Sequence, residues 1–247
     1  MEDSVPIGLG PDELHVRSLR FADAASLQDR FEGQLDHAEW VRSRRFATDE
    51  LRRRWAIGRG AVREILAGYL GIAARDVPIA PRPCAACGGP HGKPALAPPA
   101  DGLCFNVTHT GELLLVAVAH GHEVGIDAEP VGRARPLAAT AHSWLGDPET
   151  RALERLQPYE RDKALLRLWT LKEAYLKAVG VGLNTDPREV AVELDAWELQ
   201  AAPAERHPER WLLLPVKTPD DTVASLAVPA RADESPTPQV VVCAFEP

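Results

Sequence analysis

Asp127 and Glu129 are the residues whose types and spacing point most directly to chemistry. They lie in Val124-Gly-Ile-Asp-Ala-Glu129, a segment whose composition predicts a β-strand. Side chains two apart on a strand leave the same face, so the two carboxylates are expected side by side. Adjacent carboxylates repel and need a cation, a shared proton or full solvation. The pair therefore indicates either a metal site or a solvated strand edge.

A second charged pair, Glu173 and Lys177, lies in Trp169-Thr-Leu-Lys-Glu-Ala-Tyr-Leu-Lys177, whose apolar spacing predicts a helix. Residues four apart on a helix share a face, so the two side chains can meet. On a solvent-facing surface they would form an ordinary, weak ion pair. Glu173 also lies one turn from Trp169 and Leu176, at the edge of the predicted buried stripe, where a charge requires a partner. Glu173 is therefore a candidate functional carboxylate.

Two upstream segments offer groups that can bind phosphate. Asn106-Val-Thr-His-Thr-Gly111 places two hydroxyls and an imidazole at a turn after a predicted strand. Gly92-Lys-Pro94 holds a lysine between a flexible and a rigid residue. Thr, His and Gly are also ordinary turn residues, so each segment alone leaves a plain surface turn open.

Together and in order, these segments resemble the signature series of the 4′-phosphopantetheinyl transferases, of the long, surfactin-synthetase type. The series is Gly92-Lys-Pro94, Phe105-Asn-Val-Thr-His-Thr110, Val124-Gly-Ile-Asp-Ala-Glu129 and Trp169-Thr-Leu-Lys-Glu-Ala-Tyr-Leu-Lys177. The resemblance extends from about Arg42 to Leu183. It implies a magnesium-dependent enzyme that moves the phosphopantetheine arm of coenzyme A to a serine of an acyl or peptidyl carrier protein and releases 3′,5′-ADP.

The resemblance also implies a fold and a division of the chain. It implies an α+β fold in which two similar small subdomains, each a helix packed on an antiparallel sheet, form a pseudo-dimer. The active site is expected in the cleft between them, and the protein is expected to be a monomer. The expected boundary separates residues 1–122, on the phosphate-binding side, from residues 123–247, which carry the acids.

The resemblance assigns roles to individual residues. It implies that Asp127, Glu129 and Glu173 bind magnesium, and that Glu173 and Lys177 assist catalysis. It further implies a group of residues that bind coenzyme A, mostly through its phosphates: Arg42, Arg54, Lys93, Pro94, Thr108, His109 and Lys177.

Two further residues receive expectations from the same resemblance, and His109 receives a second one. Glu149 stands where some relatives place an additional acid near the metal, and Lys172 either holds a phosphate or faces solvent. A protonated His109 binds phosphate better than a neutral one, which predicts weaker coenzyme A binding at high pH.

The chain departs from the family pattern at the turn and between the acids. Thr108 and Thr110 stand where the family usually has serines, which keeps the hydroxyls and adds methyl groups. Ala128 separates the two acids and cannot act as a third ligand.

Cys84 and Cys87, with His91 nearby and Cys104 downstream, raise the possibility of a zinc site. A second CxxC pair is absent, so reduced thiols are the alternative that the sequence favours.

Composition limits the function further. The net charge of −8 argues against nucleic acid as a general partner, because no domain-wide basic field exists. Eight arginines nevertheless lie between Arg42 and Arg63, which indicates a small anionic ligand, an acidic protein partner or a solvated helix face. An acidic start and the absence of an apolar run of about 18 residues predict a cytoplasmic protein without a membrane span.

The remaining periodicities place the elements. Helices are expected over 36–70, 137–144 and 148–180, and a long loop over 78–101. Strands are expected over 14–21, 104–109, 113–119, 124–129, 190–194, 211–216, 223–228 and 239–245. Two alternative functions remain: a metal-dependent hydrolase of the coenzyme A pyrophosphate, and a non-catalytic relative that binds coenzyme A or a carrier.

Overall fold

The computed structural model describes residues 7–10, 12–85, 88–89, 92–98, 102–202, 210–230 and 237–245. The helices are α1 Phe21–Ala24, α2 Gln28–Glu32, α3 His37–Ser43, α4 Asp49–Leu70, α5 Ala134–Ala139, α6 Asp147–Glu154 and α7 Pro158–Val179. The strands are β1 Glu13–Arg20, β2 Ile79–Pro81, β3 Pro94–Leu96, β4 Leu103–Thr110, β5 Leu113–His120, β6 Gly125–Pro130, β7 Ala191–Glu193, β8 Glu198–Ala201, β9 Trp211–Val216, β10 Thr222–Pro229 and β11 Gln239–Ala244. The predicted α+β class is confirmed.

The first large unit is a four-stranded sheet in the order β11-β1-β5-β4, covered on one face by α4. β5 pairs antiparallel with both β1 and β4, whereas β11 runs parallel to β1. Leu114, Val116 and Val118 of β5 pack toward the α4 side, against residues such as Ile65 and Leu66 of α4. A continuous apolar strand was expected to be covered on both faces, and β5 is buried on both.

The second unit is the three-stranded sheet β6-β10-β9, covered by α7. Gly180 ends α7 in the left-handed conformation, with φ of 76°, which a glycine adopts without strain. Gly125 lets the start of β6 approach α7 closely, since a Cβ at this position would lie 1.9 Å from the carbonyl oxygen of Ala174. The glycine before the first acid therefore fixes the distance between the acid-bearing strand and the helix.

The uncovered faces of the two sheets pack on each other. Leu115, Ala117 and Ala119 of β5 join Ile126 of β6 and Leu226 of β10 in one buried cluster. At the adjoining edges the Asn106 side chain of β4 accepts a hydrogen bond from the Ile126 N–H of β6 at 3.1 Å. This contact holds the phosphate-turn strand beside the acid-bearing strand.

The loop expected over 78–101 contains the paired strands β2 and β3, and the helix expected over 137–144 is observed as α5, which ends at Ala139. Two longer predicted helices are each divided in the structure. The helix expected over 36–70 is divided into α3 and α4, because Asp36 forms a capping box with Glu39 and Thr48 caps a new helix at Leu51 N–H. The helix expected over 148–180 is divided into α6 and α7, with Pro158 in the first turn of the second.

The expected boundary at residue 122 stays a prediction, although β11 lies across it, in the sheet that also contains β1. Within the described residues, no helix is long and apolar enough to cross a membrane.

Candidate active site

The three predicted metal ligands line one cleft of about 520 Å³ between the two units. β6 contributes Asp127 and Glu129, and α7 contributes Glu173. The same cleft is lined by Arg54 of α4, by residues 107–111 at the end of β4 and its turn, and by Arg133, Trp169 and Lys177. Residues far apart in sequence therefore meet where the two sheets adjoin.

Asp127 is the most enclosed of the acids, with 6% of its surface exposed. Its Oδ1 accepts hydrogen bonds from Lys177 Nζ at 2.6 Å and from Thr108 Oγ1 at 3.3 Å. Its Oδ2 is buried and has no hydrogen-bond partner. Burial raises the pKa of Asp127, while Lys177 and Thr108 act in the opposite direction. A buried carboxylate oxygen without a partner is uncommon and indicates a group yet to be bound.

Glu129 and Glu173 place two further carboxylates in the cleft beside Asp127. Glu129 accepts a hydrogen bond from Trp169 Nε1 at 3.2 Å, and its pKa is raised by burial and by Asp127. Burial, with Asp127 and Glu129, raises the pKa of Glu173 to about 7, although Lys177 lowers it. Carboxylates that raise one another's pKa values gain most from an added cation.

This donor set suits a hard divalent cation, since Mg²⁺ prefers carboxylate oxygens and retains water. Asp127 Oδ2 offers a buried oxygen with no partner at the site. Among the residues with described positions, no group of three or more His, Cys, Asp and Glu side chains already converges as a metal-ligand set. The three carboxylates therefore have the oxygen donors that Mg²⁺ prefers, and they line the same cleft. Their role as ligands stays a prediction.

Four of the predicted coenzyme-binding residues line the cleft: Arg54, Thr108, His109 and Lys177. Arg54 pairs with Glu112, and its guanidinium lies 4.4 Å from the centre of the Phe21 ring. Burial lowers the pKa of His109, and Lys177 and Arg54 lower it further. The imidazole is therefore mainly neutral near pH 7 in the ligand-free protein. The negative charge of a bound phosphate would favour its protonation.

Lys93 and Pro94 line a neighbouring pocket of about 300 Å³, which shares Val107 and Lys177 with the acid cleft. Lys93 Nζ donates to Glu123 at 2.8 Å and to the Val124 carbonyl at 2.7 Å. Burial lowers the pKa of Lys93, and Glu123 opposes that shift. The structure thus gives Lys93 partners at the junction between the two units and does not place it in the cleft.

Arg42 lies farther away, in a separate pocket with His37 and Phe46. The break between α3 and α4 places Arg42 on the shorter helix, with its guanidinium 5.8 Å from the centre of a Trp55 ring. Arg42 and Arg54 therefore lie on different helices and line different pockets, and the expectation that both bind coenzyme A stays a prediction.

Glu149 and Lys172 form a buried pair outside the cleft. Lys172 is 0% and Glu149 2% exposed, and Lys172 Nζ lies 2.6 Å from Glu149 Oε2. Neither alternative expected for Lys172 is correct, because it faces neither solvent nor a phosphate site. Glu149 is not near the acid cluster, since its carboxylate accepts from Lys172 and from the Val192 N–H at 2.9 Å.

Comparison with known proteins identifies the family. The 4′-phosphopantetheinyl transferase HetI of Nostoc sp. is 34% identical over 222 residues, covering 88% of this chain and 88% of that protein. The chain belongs to the 4′-phosphopantetheinyl transferase family. The model of the 4′-phosphopantetheinyl transferase superfamily matches residues 123–227. The family member AcpT of Escherichia coli (strain K12) is 35% identical over 97 residues, covering 37% of this chain and 47% of that protein.

A solved structure of a holo-(acyl-carrier-protein) synthase from Bacillus anthracis, in complex with CoA (3′,5′-ADP), aligns with a TM-score of 0.36 at 19% identity. The alignment covers 43% of this chain and 94% of that chain. The family assignment of this phosphopantetheinyl transferase rests on its sequence relatives.

Two cleft residues of this transferase were not anticipated as functional. Trp169 was noted only as part of a motif, yet its indole N–H orients Glu129. Arg133 lines the cleft, with its Nη1 3.9 Å from Glu129 Oε2. The i,i+4 spacing of Glu129 and Arg133 was a possible signal, but residue 129 was expected to end a strand.

The zinc hypothesis cannot be followed through all four residues, since Cys87 and His91 lie outside the described part of the chain.

Proposed function

We propose that this transferase moves the 4′-phosphopantetheine group of coenzyme A to the serine hydroxyl of an apo carrier protein and releases 3′,5′-ADP. The observation that carries the proposal is the shared cleft, in which Asp127, Glu129 and Glu173 lie beside Arg54 and Lys177. Carboxylates and cations side by side suit a substrate that brings a diphosphate together with a metal ion.

In this proposal Asp127, Glu129 and Glu173 hold Mg²⁺. When bound, the ion would neutralise negative charge on the diphosphate and on the departing 3′,5′-ADP. Asp127 Oδ2 supports this role because it is buried and unpartnered, while Oδ1 stays fixed by Lys177 and Thr108.

The cationic and hydroxyl groups across the cleft bind the phosphates. Arg54 and Lys177 supply positive charge, and Thr108 and His109 supply hydrogen bonds at the end of β4. Lys93 and Pro94 line the adjoining pocket and could contact the coenzyme beyond Lys177. These residues position the diphosphate so that the serine oxygen approaches the phosphorus opposite the leaving oxygen.

Glu173 is the proposed acceptor of the serine proton. Glu173 lines the cleft with Asp127 and Glu129, so its carboxylate lies where the serine hydroxyl must approach the proposed metal site and can accept the hydroxyl proton. As the bond from the serine oxygen to phosphorus forms, the bond from phosphorus to 3′,5′-ADP breaks. The proton moves from the serine hydroxyl to Glu173, and Lys177 keeps Asp127 in place.

The same proposal covers the subtype, the assembly and the location. We assign the chain to the long, surfactin-synthetase type, which acts as a monomer in the cytoplasm. The buried cluster between the two sheets is built within one chain, and Cys104 and Cys243 are thiols. Light scattering of the purified protein tests the monomer, and a mass of two chains would contradict it.

The test is direct transfer. The protein is incubated with coenzyme A, Mg²⁺ and each of several apo carrier proteins, and the carrier is weighed by mass spectrometry. We expect a carrier with the added phosphopantetheine mass, and a carrier with serine replaced by alanine should remain unchanged. Release of 3′,5′-ADP without any carrier would favour the hydrolase, and binding without turnover would favour the non-catalytic relative.

A further inference from the structure

Two hydroxyl groups are buried between α7 and the sheet that carries the acids. Thr170 of α7 and Ser225 of β10 are both 0% exposed, and their Oγ atoms lie 2.8 Å apart. The Thr170 hydroxyl donates to the Arg167 carbonyl at 3.1 Å, so the Ser225 hydroxyl is the one that donates to Thr170. Neither side chain lines the acid cleft, and the proposed reaction does not use them.

This hydroxyl pair lies next to two of the proposed metal ligands. Ser225 is the direct partner of Asp127 in the antiparallel ladder of β10 and β6, so the two side chains leave the same face of the sheet. Thr170 precedes Glu173 by three residues, and side chains three apart lie on the same side of a helix. The hydrogen bond between the hydroxyls therefore joins the strand pair that carries Asp127 to the helix face that carries Glu173.

The acids themselves push α7 away from the sheet. Burial raises the pKa of Glu173, and Asp127 and Glu129 raise it further, so the three carboxylates repel one another in the metal-free protein. Small apolar residues under α7, such as Ala174 and Ala227, pack without a preferred direction. A hydroxyl pair is directional, because its hydrogen bond weakens once the oxygens separate beyond about 3 Å. The pair can therefore hold the helix in place against this repulsion.

We infer that the hydrogen bond between Thr170 and Ser225 is a positioning contact that holds Glu173 within reach of the divalent ion bound by Asp127 and Glu129. In this role neither hydroxyl touches the ion or the substrate, and the pair acts through the backbones of α7 and β10. Apolar side chains of the same shape would fill the space but would leave the helix free to shift away from the acids. The inference rests on the proposed function, because it concerns the metal site proposed there.

The test uses the double variant Thr170→Val/Ser225→Ala. The single variant Thr170→Val leaves the Ser225 hydroxyl buried without its partner, so it should lose both stability and Mg²⁺ affinity. The double variant removes both hydroxyls, so its midpoint in urea should return toward that of the wild type. Its affinity for Mg²⁺ alone, measured by titration calorimetry, should stay about tenfold weaker than that of the wild type, as is typical when a group that orients a metal ligand is lost.

Two further variants make the result specific. Thr170→Ser keeps the hydroxyl and should bind Mg²⁺ as tightly as the wild type. Ser43→Ala is the matched control, because Ser43 is buried on α3 and its hydroxyl donates to the Trp40 carbonyl, away from the acids. This control should leave the Mg²⁺ affinity unchanged, whatever its effect on stability.

Three results would overturn the inference. A double variant that binds Mg²⁺ as tightly as the wild type would show that the hydroxyl pair is an ordinary core contact. An equal loss of Mg²⁺ affinity in Ser43→Ala would show a general effect of destabilisation. If the double variant does not fold, Thr170→Ser and Thr170→Val are compared directly, and equal Mg²⁺ affinities of these two variants overturn the inference.

Failure of the proposed function gives a different set of results. A wild type that binds Mg²⁺ but modifies no carrier protein contradicts the transfer reaction, and the inference still stands if the double variant binds the ion more weakly. A wild type that binds no Mg²⁺ removes the metal site from the proposed function and overturns the inference with it. Normal transfer by the wild type, with unchanged Mg²⁺ affinity in the double variant, overturns the positioning role alone.

Discussion

Two lysines of α7, five positions apart, pair with carboxylates in different ways. Lys172 is completely buried, and its Nζ donates to Glu149 at 2.6 Å and to the carbonyls of Trp144 and Pro187 at 3.0 Å each. Glu149 in turn accepts from the Val192 N–H. The donors of one ammonium are matched by three acceptors, so this pair joins α7 to the segments around it.

Lys177 and Asp127 form the opposite kind of pair. Lys177 keeps 28% of its side chain exposed and donates to Asp127 Oδ1 and to the Ile126 carbonyl. Asp127 Oδ2 has no partner, and Glu173 and Glu129 add negative charge nearby. The comparison teaches that a buried pair with complete hydrogen bonding stabilises the fold. In the Lys177–Asp127 pair one buried carboxylate oxygen stays unpartnered, and it is the oxygen that the proposed metal ion would use.

The largest expected effect is on the structural pair. Lys172→Met leaves the Glu149 carboxylate buried without its cation, which should lower the free energy of unfolding by about 3–5 kcal/mol. Urea denaturation measures the loss. The exposed Lys163→Met on the same helix is the control and should change stability by less than about 0.5 kcal/mol. Lys172→Met/Glu149→Gln removes both charges and keeps a side-chain oxygen for the Val192 N–H, so it should recover part of the loss. Failure to do so would mean that packing, not charge, holds this site.

The pair of Lys177 and Asp127 should show the reverse, with a large effect on turnover and a small effect on stability. Asp127→Asn is expected to lower kcat by about 10²–10³-fold, by analogy with the loss of one electrostatic contact to a transition state. Its free energy of unfolding without metal should stay within about 1 kcal/mol of the wild type, because the change also removes a charge that repels Glu173. Carrier modification and urea denaturation are measured on the same preparation. A large loss of stability with normal turnover would show that Asp127, like Glu149, is a structural partner of a lysine and takes no part in the reaction.

Strand and helix periodicity predicted which of the acids share a face, and the family resemblance predicted that the strand and the helix meet at one cleft. Asp127 and Glu129 leave one face of β6, and Glu173 with Lys177 lies on the α7 face that meets it. The two-sided burial of β5 followed from its uninterrupted apolar run.

The sequence did not predict the positions of side chains that depend on tertiary contacts. Lys172 and Glu173 are neighbours on one helix, but only the packing of α6 and the segment near Pro187 shows that Lys172 is enclosed. Arg42 and Arg54 belong to one arginine-rich stretch, and the Thr48 cap separates them onto two helices. Such breaks depend on a few local hydrogen bonds, which periodicity alone does not reveal.

A smaller effect concerns pH. The pKa of Glu173 is raised from 4.5 to about 7, and those of Asp127 and Glu129 are raised too, so the metal-free folded state binds more protons than the unfolded state. The contribution of these three carboxylates to the free energy of unfolding should therefore fall as pH rises from about 4.5 to 7, and Glu173→Gln should remove about 1–3 kcal/mol of that decrease. Denaturation at pH 5 and pH 8 measures it.

Two controls keep this prediction specific. The exposed Glu154→Gln should leave the pH dependence unchanged. Added Mg²⁺ should stabilise the wild type more at pH 8 than at pH 5, since protons compete for the same oxygens. A Glu173→Gln variant whose stability has the same pH dependence as that of the wild type would contradict the raised pKa of Glu173.

The smallest expected effect tests whether Glu129 belongs to the functional group. Trp169→Phe removes the indole N–H that donates to Glu129 and keeps an aromatic ring near Trp144, whose centroid lies 5.0 Å away. Losing one such hydrogen bond should lower kcat/KM by about 3–10-fold, close to 1 kcal/mol, mainly by raising the Mg²⁺ concentration needed for half-maximal rate. Trp144→Phe is the matched control, because Trp144 donates to the Leu137 carbonyl and not to an acid. If Trp169→Phe lowers stability but leaves the Mg²⁺ dependence unchanged, then Trp169 and Glu129 form a structural contact, and the metal would be held by Asp127 and Glu173 alone.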